Sequence, residues 1–363
     1  MKTSIIVFII VSILSITSCI NNKDTVNQIN GTIVLYPKYA KGFYVERMPD
    51  SSLSLIIRNP SDTNNIISNI LLHDGDVDKT SRVGCLSISH ISFLDKLGVI
   101  DKVVGIPDTT LFDGSPILQK INENAQQITL GSGVKTETII GMHPDFLFTS
   151  FYQDVNLGSL RSSTLVIPIV EYLELHPLGR MEWIKLFGFL MDELQVANLY
   201  CEDVFAKYNA LKNAHVGDST LPDIVDVSEY HGHWYAAGGQ SYIAQLYKDA
   251  GYNYIWSDDE HNGSFPVSSE VAVKAGMETE YWRFVSEGKE GEEKVDIATL
   301  NDYYGLFSSV KTGKVLYCNP TLSGYFTEGV LEPHIVLQDM INARDSMDGY
   351  TPKYYKRYGR SML

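Results

Sequence analysis

One stretch constrains the fold of this chain more than any other. Across residues 178–215, Leu186, Leu190, Leu194, Ala197, Cys201, Val204, Tyr208 and Leu211 recur at steps of three and four. That is the period of one helical face. Asp192, Gln195, Asn198, Glu202, Asp203, Asn209 and Lys212 fall on the opposite face. Fully helical, the stretch spans about 57 Å. Asp192 also suits an N-cap, so the stretch reads as one helix or as two in series. Alternating strand and helix patterns lie on both sides of it. It is therefore either a stiff connector between two α/β halves or an ordinary core helix of a single α/β domain.

With 363 residues the chain is long enough for two domains. Residues 5–16 form an apolar run after Lys2, too short to read as a spanning helix. It ends in Ile16-Thr17-Ser18-Cys19, which resembles the lipobox of bacterial lipoproteins. Residues 1–18 then read as a signal peptide, Cys19 as the lipidated residue and residues 19–30 as a polar tether. Residues 31–80 carry short β-like runs at 32–36, 43–47 and 53–58, a small sheet ahead of the first lobe.

Strand and helix patterns alternate from there. Residues 82–88, 102–106, 145–149 and 165–170 read as strands, and 90–97 and 137–142 as helices. Beyond the connector, 224–227 and 314–318 read as strands, and 242–250, 268–275 and 335–343 as helices. The segments divide as residues 81–177, a connecting stretch at 178–216, and residues 217–363. The alternation predicts mostly parallel sheets, with a ligand beyond the carboxyl ends of the strands.

The formal net charge of -15 argues against nucleic acid, whose phosphates draw clusters of Lys and Arg. The four cysteines show no CxxC spacing, so neither a thiolate metal site nor a disulfide framework is expected. No catalytic motif of the nucleophile-elbow, P-loop or zincin type is present. His231 and His233 form the one tight histidine pair. In an extended segment both would point to one side, as in a metal-dependent hydrolase, although loop histidines more often face solvent. His90, at the end of the first strand, either lines a cleft or packs. Aromatics beside glycines are more informative: Trp234-Tyr235-Ala236-Ala237-Gly238-Gly239, Phe151-Tyr152 after a strand, Trp256, Phe265 and Tyr325-Phe326. Loops after strands are where a cleft would be lined.

Five stretches in order carry a resemblance: 82–105 (RVGCLSISHISFLDKLGVIDKVVG), 137–147 (ETIIGMHPDFL), 177–188 (PLGRMEWIKLFG), 238–251 (GGQSYIAQLYKDAG) and 330–340. Together they are similar to the periplasmic substrate-binding proteins of ABC importers for iron-siderophores, haem and cobalamin. The resemblance implies two Rossmann-like α/β lobes joined by a single long helix, the class III periplasmic-binding fold, with the ligand cleft between them. It implies a non-enzymatic monomer with no cofactor of its own, binding a metal chelate or corrinoid. Its partners would be ABC permease and ATPase subunits, met in the periplasm from a lipid anchor in the membrane. Ligand contacts are expected from Ser89, His90, Phe151, Tyr152, Trp234, Tyr235, Gly238, Gly239, Phe265 and Tyr325. Glu137 and Glu270 match the family's permease-docking glutamates. Glu332-Pro333-His334 departs from the usual Arg-Pro-Asp before the last helix. Competing readings are a binding protein for bare zinc or manganese, which needs three or four converging His, Asp or Glu, and the hydrolase.

Overall fold

The computed structural model describes residues 32–73, 75–78, 80–109, 116–121, 123–130, 133–150, 164–214, 220–287, 295–347 and 349–358. Cys19, Phe151, Tyr152 and the leader and tether at 1–30 lie outside the described residues.

An antiparallel sheet opens the described chain: β1 (Thr32–Leu35), β2 (Phe43–Arg47), β3 (Leu53–Asn59) and β4 (Asp62–Leu72), paired in that order. The fourth strand was not expected. Its polar, Asn-rich outer residues hide the alternation that period-two reading depends on. Two buried carboxylates fasten this sheet to the rest. Glu182 accepts hydrogen bonds from the backbone N–H groups of Lys38, Tyr39 and Ala40 at 2.6–3.0 Å, and from Lys185 Nζ at 2.8 Å. Glu174 accepts from the backbone of Lys41 and Gly42 at 2.8–3.0 Å and from Trp183 Nε1 at 2.9 Å. The loop between β1 and β2 thus closes over both carboxylates, and Phe43 packs on Trp183 beneath it.

The first lobe contains β5 (Val83–Cys85), α1 (Ile88–Lys96), β6 (Val103–Ile106), β7 (Gln126–Gln127), a small hairpin of β8 (Thr129–Leu130) and β9 (Gly133–Val134), α2 (Thr136–Met142), β10 (Phe146–Thr149) and β11 (Leu165–Pro168). Its five-stranded sheet has the order β11-β10-β5-β6-β7 and is parallel throughout. Strands β5, β6 and β7 build outward on one side, and the chain then returns to add β10 and β11 on the other. The order reverses beside β5, where an open α/β sheet leaves a crevice at its carboxyl edge.

Three helices connect the lobes: α3 (Pro177–Glu182), α4 (Ile184–Leu190) and α5 (Leu194–Ala214). The long helix is α5, and it links two α/β lobes, as the resemblance implied. The stretch does break at Asp192, which takes a left-handed φ of 54°, and again at Trp183. The repeating apolar face is buried at Leu186, Leu190, Ala197, Cys201, Val204 and Tyr208.

The second lobe comprises β12 (Asp223–Tyr230), β13 (His233–Ala237), α6 (Tyr242–Asp249), β14 (Asn253–Tyr254), β15 (Ser264–Val267), α7 (Ser269–Glu278), β16 (Tyr281–Val285), α8 (Ser308–Thr312), β17 (Val315–Cys318), α9 (Pro320–Ser323), α10 (Tyr325–Glu328), α11 (Pro333–Asp345) and β18 (Lys356–Tyr358). Here the expectation of mostly parallel strands needs correction. Strands β14, β12, β16 and β17 run parallel to one another, but β13, β15 and β18 pair antiparallel. A tight turn at His231-Gly232, both at positive φ, folds β13 straight back on β12 and leaves no room for a crossover helix.

One continuous hydrophobic cluster runs through the first sheet, the first lobe, the connector and the inner part of the second lobe. A second cluster fills the outer half of the second lobe around Trp282, Tyr304 and Phe307. Helix α5 is tied to the second lobe by Tyr208 Oη donating to Asp249 Oδ2 at 2.7 Å and Tyr200 Oη donating to Leu331 O at 2.8 Å. Among the described residues no helix is long and apolar enough to cross a membrane.

Candidate functional site

The carboxyl ends of β5, β10 and β11 open onto a cavity of about 340 Å³ between the lobes. The first lobe lines it with Ser87, Ile88 and Ser89 at the start of α1, Ser150 after β10, and Glu171 and Tyr172 after β11. Helix α3 adds Pro177 and Arg180. The second lobe closes it with Tyr242 and Leu246 of α6, Tyr325 and Phe326 of α10, and Val330, Pro333 and Val336 around the start of α11. Among the described residues the walls are thus mainly aromatic and aliphatic, with one carboxylate and one guanidinium, as in most small-molecule sites.

The sequence explains how these side chains arrive. Ser241 Oγ accepts from Ala244 N and starts α6, so Tyr242 is carried at its first turn. Gly324, at a left-handed φ of 68°, ends α9 and lets α10 start at Tyr325. His176 caps α3 through Nδ1, with Pro177 in the first turn, and Arg180 follows one turn on.

Glu171 is 4% exposed, and its Oε1 accepts from Ser89 Oγ at 2.8 Å. Burial pushes its carboxyl above the usual range, with Arg180 and the Ser89 hydroxyl pulling against that shift. The Arg180 guanidinium lies 4.1 Å from the centre of the Tyr242 ring. Tyr242 lies beside Tyr325 as well, and the Tyr325 ring meets that of Tyr355 edge-on at 5.4 Å. Tyr355 Oη accepts from Arg283 Nε at 2.7 Å, and Arg283 Nη1 donates to Asp226 Oδ2 at 3.0 Å. This chain of polar groups runs from the cavity into the sheet of the second lobe. Burial alone would raise the Tyr242 phenol. The positive charges of Arg180 and Arg283 help to outweigh it, holding the phenol below its ordinary value.

Of the expected ligand contacts, the structure brings Ser89 and Tyr325 to the cavity. His90, one residue from Ser89, is fully buried instead and turns between the rings of Phe148 and Phe187 at 6.3 and 6.1 Å. Trp234 also lies elsewhere: it is 5% exposed and packs edge-on against Tyr304 at 5.7 Å, inside the outer cluster of the second lobe. The pleat of β13 sends Trp234 and Ala236 to that core and turns the half-buried Tyr235 the other way. Phe265 is a strand residue that stacks on His261 at 5.2 Å and meets Trp256 at 6.0 Å. Gly238 and Gly239 are required by backbone proximity. A Cβ on Gly238 would collide with the carbonyl of His261, and one on Gly239 would stand 2.5 Å from the carbonyl of Trp256. Both glycines let the β13–α6 turn press against the loop at 256–263.

His231 and His233 are exposed at the two ends of the hairpin turn. The turn removes the extended geometry that would have aligned them. Among the described residues no three His, Cys, Asp or Glu side chains converge as metal ligands. Glu137 and Glu270 are exposed and sit in the first turns of α2 and α7, one on each lobe. Glu171, Arg180 and Tyr242 had not been picked out. Their signals were present: an acid directly after a strand, an Arg inside an apolar helix, and a Tyr directly after a Gly-Gly-Gln-Ser cap.

A family described as periplasmic binding protein matches residues 83–322. The match starts at β5, so the sheet of β1 to β4 precedes it. An uncharacterized lipoprotein of Methanocaldococcus jannaschii is 25% identical over 279 residues, covering 72% of this chain; the chain spans 64% of that relative's length. Among solved structures, an ABC-type Fe3+-hydroxamate transport system protein from Saccharomonospora viridis aligns with a TM-score of 0.59 at 15% identity, over 80% of this chain and 98% of that one. The Desferal-bound siderophore binding protein FhuD of Vibrio cholerae aligns with a TM-score of 0.56 at 16% identity, over 73% and 99%. The periplasmic heme binding protein HutB of the same organism aligns with a TM-score of 0.55 at 14% identity, over 71% and 98%. At these identities the likeness to the solved structures is one of fold.

Proposed function

The chain belongs to the periplasmic binding protein family, and we propose that it is a lipid-anchored solute-binding protein that captures a metal chelate and delivers it to an ABC permease and its ATPase. The observation that carries this reading is the cavity between the lobes. It lies at the carboxyl edge of the first sheet, beside the reversal in strand order, and the second lobe closes over it with Tyr242, Tyr325 and Phe326. Aromatic faces suit a large semi-apolar chelate, and Arg180 suits an anionic or acceptor-rich one. A bare zinc or manganese ion would instead require several converging hard or nitrogen ligands.

Calorimetric titration of the purified protein with ferrioxamine B, a ferric catecholate, haemin and cyanocobalamin tests the reading. Saturable binding of one of them, weakened about tenfold or more in Tyr325→Ala, is the expected result. If the protein binds none of them but takes up free zinc or manganese, the chelate reading is lost. The anchor is tested separately. Cys19→Ala should move the protein from the membrane to the soluble fraction, since acyl chains supply the membrane affinity; sedimentation with membranes as before would remove the anchor.

A further inference from the structure

The sheet of β1 to β4 precedes the stretch that matches the family, and its outer face carries large apolar side chains in the open. Residues paired across neighbouring strands point to the same side. Ile33 pairs with Glu46, Glu46 with Ser54 and Ser54 with Leu71. Tyr44 pairs with Ile56, and Arg58 with Ile66. These residues share one face, while Val45, Leu55 and Ile57 point the other way into the main hydrophobic cluster. An antiparallel sheet with one face on a core normally turns polar residues to water. Here Ile33, on edge strand β1, is 37% exposed, and Ile66 and Leu71, on edge strand β4, are 43% and 48% exposed. Tyr36, 54% exposed, stands 6.2 Å from the Tyr44 ring, and the Arg58 guanidinium lies 5.1 Å from the centre of that ring. Glu46 belongs to the same face but is buried.

We propose that this outer face rests on the headgroup layer of the membrane that holds the Cys19 anchor, with Ile33, Tyr36, Ile66 and Leu71 in the interface. The protein is then held in one orientation, its first sheet toward the lipid. This rests on the lipid-anchor reading above and is independent of the ligand.

Position, composition and charge favour a lipid surface as the occupant. Thirteen residues separate Cys19 from Thr32 at the start of β1, so the sheet follows the anchor directly along the chain and within a reach of about 45 Å. Aliphatic side chains with Tyr and Arg at their margin suit the boundary between acyl chains and headgroups, where an apolar body is buried and a polar tip stays wet. Residues 32–72 carry Lys38, Lys41, Arg47 and Arg58 against Glu46, Asp50 and Asp62, in a chain whose formal net charge is -15. The sheet therefore presents anionic headgroups with no acidic excess to repel it. A single lipid anchor is reinforced by a second, weaker contact of this kind.

The test places a thiol-reactive, environment-sensitive fluorophore on the lipidated full chain at Ile33→Cys, at Leu71→Cys and, for reference, at Leu322→Cys on the second lobe, which is 80% exposed. Cys85, Cys201 and Cys318 are buried and stay unlabelled, and circular dichroism confirms folding. Each variant is reconstituted into vesicles of phosphatidylethanolamine and phosphatidylglycerol that contain no other protein. The expected result is a blue shift at positions 33 and 71, with loss of emission when brominated lipid replaces ordinary lipid, and neither change at 322. If 33 and 71 respond no more than 322, the inference is overturned while the anchor stands. A blue shift without quenching by brominated lipid would mean that a second copy covers the face, and overturns it too. If the vesicles do not retain the protein, the anchor and this inference fall together.

Discussion

At the scale of single residues, the difference between lining a cleft and filling a core is decided by one step of a pleat or helix. Trp234 has the composition and neighbours of a ligand contact, yet it fills the outer cluster of the second lobe against Tyr304. Trp234→Ala should therefore cost about 3–5 kcal/mol of stability, as large aromatic truncations in cores do. Ligand affinity of the folded fraction should be unchanged. Chemical denaturation and titration together separate the two, and lost affinity at unchanged stability would return Trp234 to the site. His90 is a second case. Burial drives its pKa down to about 3, so it stays neutral where an exposed His would charge. Its native pKa lies below the unfolded value, so the stability associated with it is full above about pH 6.5 and drains as pH falls toward 3. In His90→Leu that acid-side loss should shrink. Melting temperatures of variant and wild type across pH 4–7.5 check this; parallel curves would mean that His90 does not contribute.

Besides the shared hydrophobic cluster, elements are fastened to one another here by buried carboxylates that collect backbone donors. Glu182 joins the loop after β1 to α3 by three backbone bonds and takes a fourth from Lys185. A carboxylate with that many donors is well compensated for its burial, whereas its removal strands every donor at once. Glu182→Ala should destabilise the chain by about 3–5 kcal/mol. Hydrogen exchange should rise first in β1 and β2, which lose their fastening, and later in the lobes. Uniform exchange gains across all elements would instead place Glu182 in the global core. Tyr39, whose hydroxyl accepts from Asn209 of α5 at 3.1 Å, extends the same fastening to the connector. The first sheet thus braces the helical stretch that separates the lobes.

At the scale of the whole molecule, two lobes share one hydrophobic cluster through the connector. Closure is then expected to be a limited rocking about packed helices, unlike a hinge of free strands. Each lobe also presents an exposed glutamate in the first turn of a short helix, Glu137 on the first and Glu270 on the second. We infer that these meet cationic pockets on the permease, where charge sets register and association rate more than affinity. A single exposed ion pair contributes only ~0–1 kcal/mol, so one change alone should be mild. Glu137→Arg combined with Glu270→Arg should abolish uptake in cells while leaving ligand affinity on purified protein as in wild type. Normal uptake at normal protein level would sink the docking assignment.

What the sequence determined by itself was whatever depends on neighbours along the chain. The period of residues 186–211 places the buried faces of α4 and α5, and the strand and helix patterns on either side mark α/β structure before and after them. Capping residues such as Ser241 and Ser268 set the starts of α6 and α7. The tertiary structure decided what depends on contacts across the chain. The polar outer face of β4 reads as loop until β3 pairs with it. The two-residue turn at His231-Gly232 reverses β13, which carries Trp234 into a core and away from the cleft. Glu171, Arg180 and Tyr242 are 9 and 62 positions apart along the chain, and no local pattern signals that their side chains meet. They share one cavity because β11 ends, α3 begins and α6 packs at the same edge of a parallel sheet, a coincidence that only the folded lobes create.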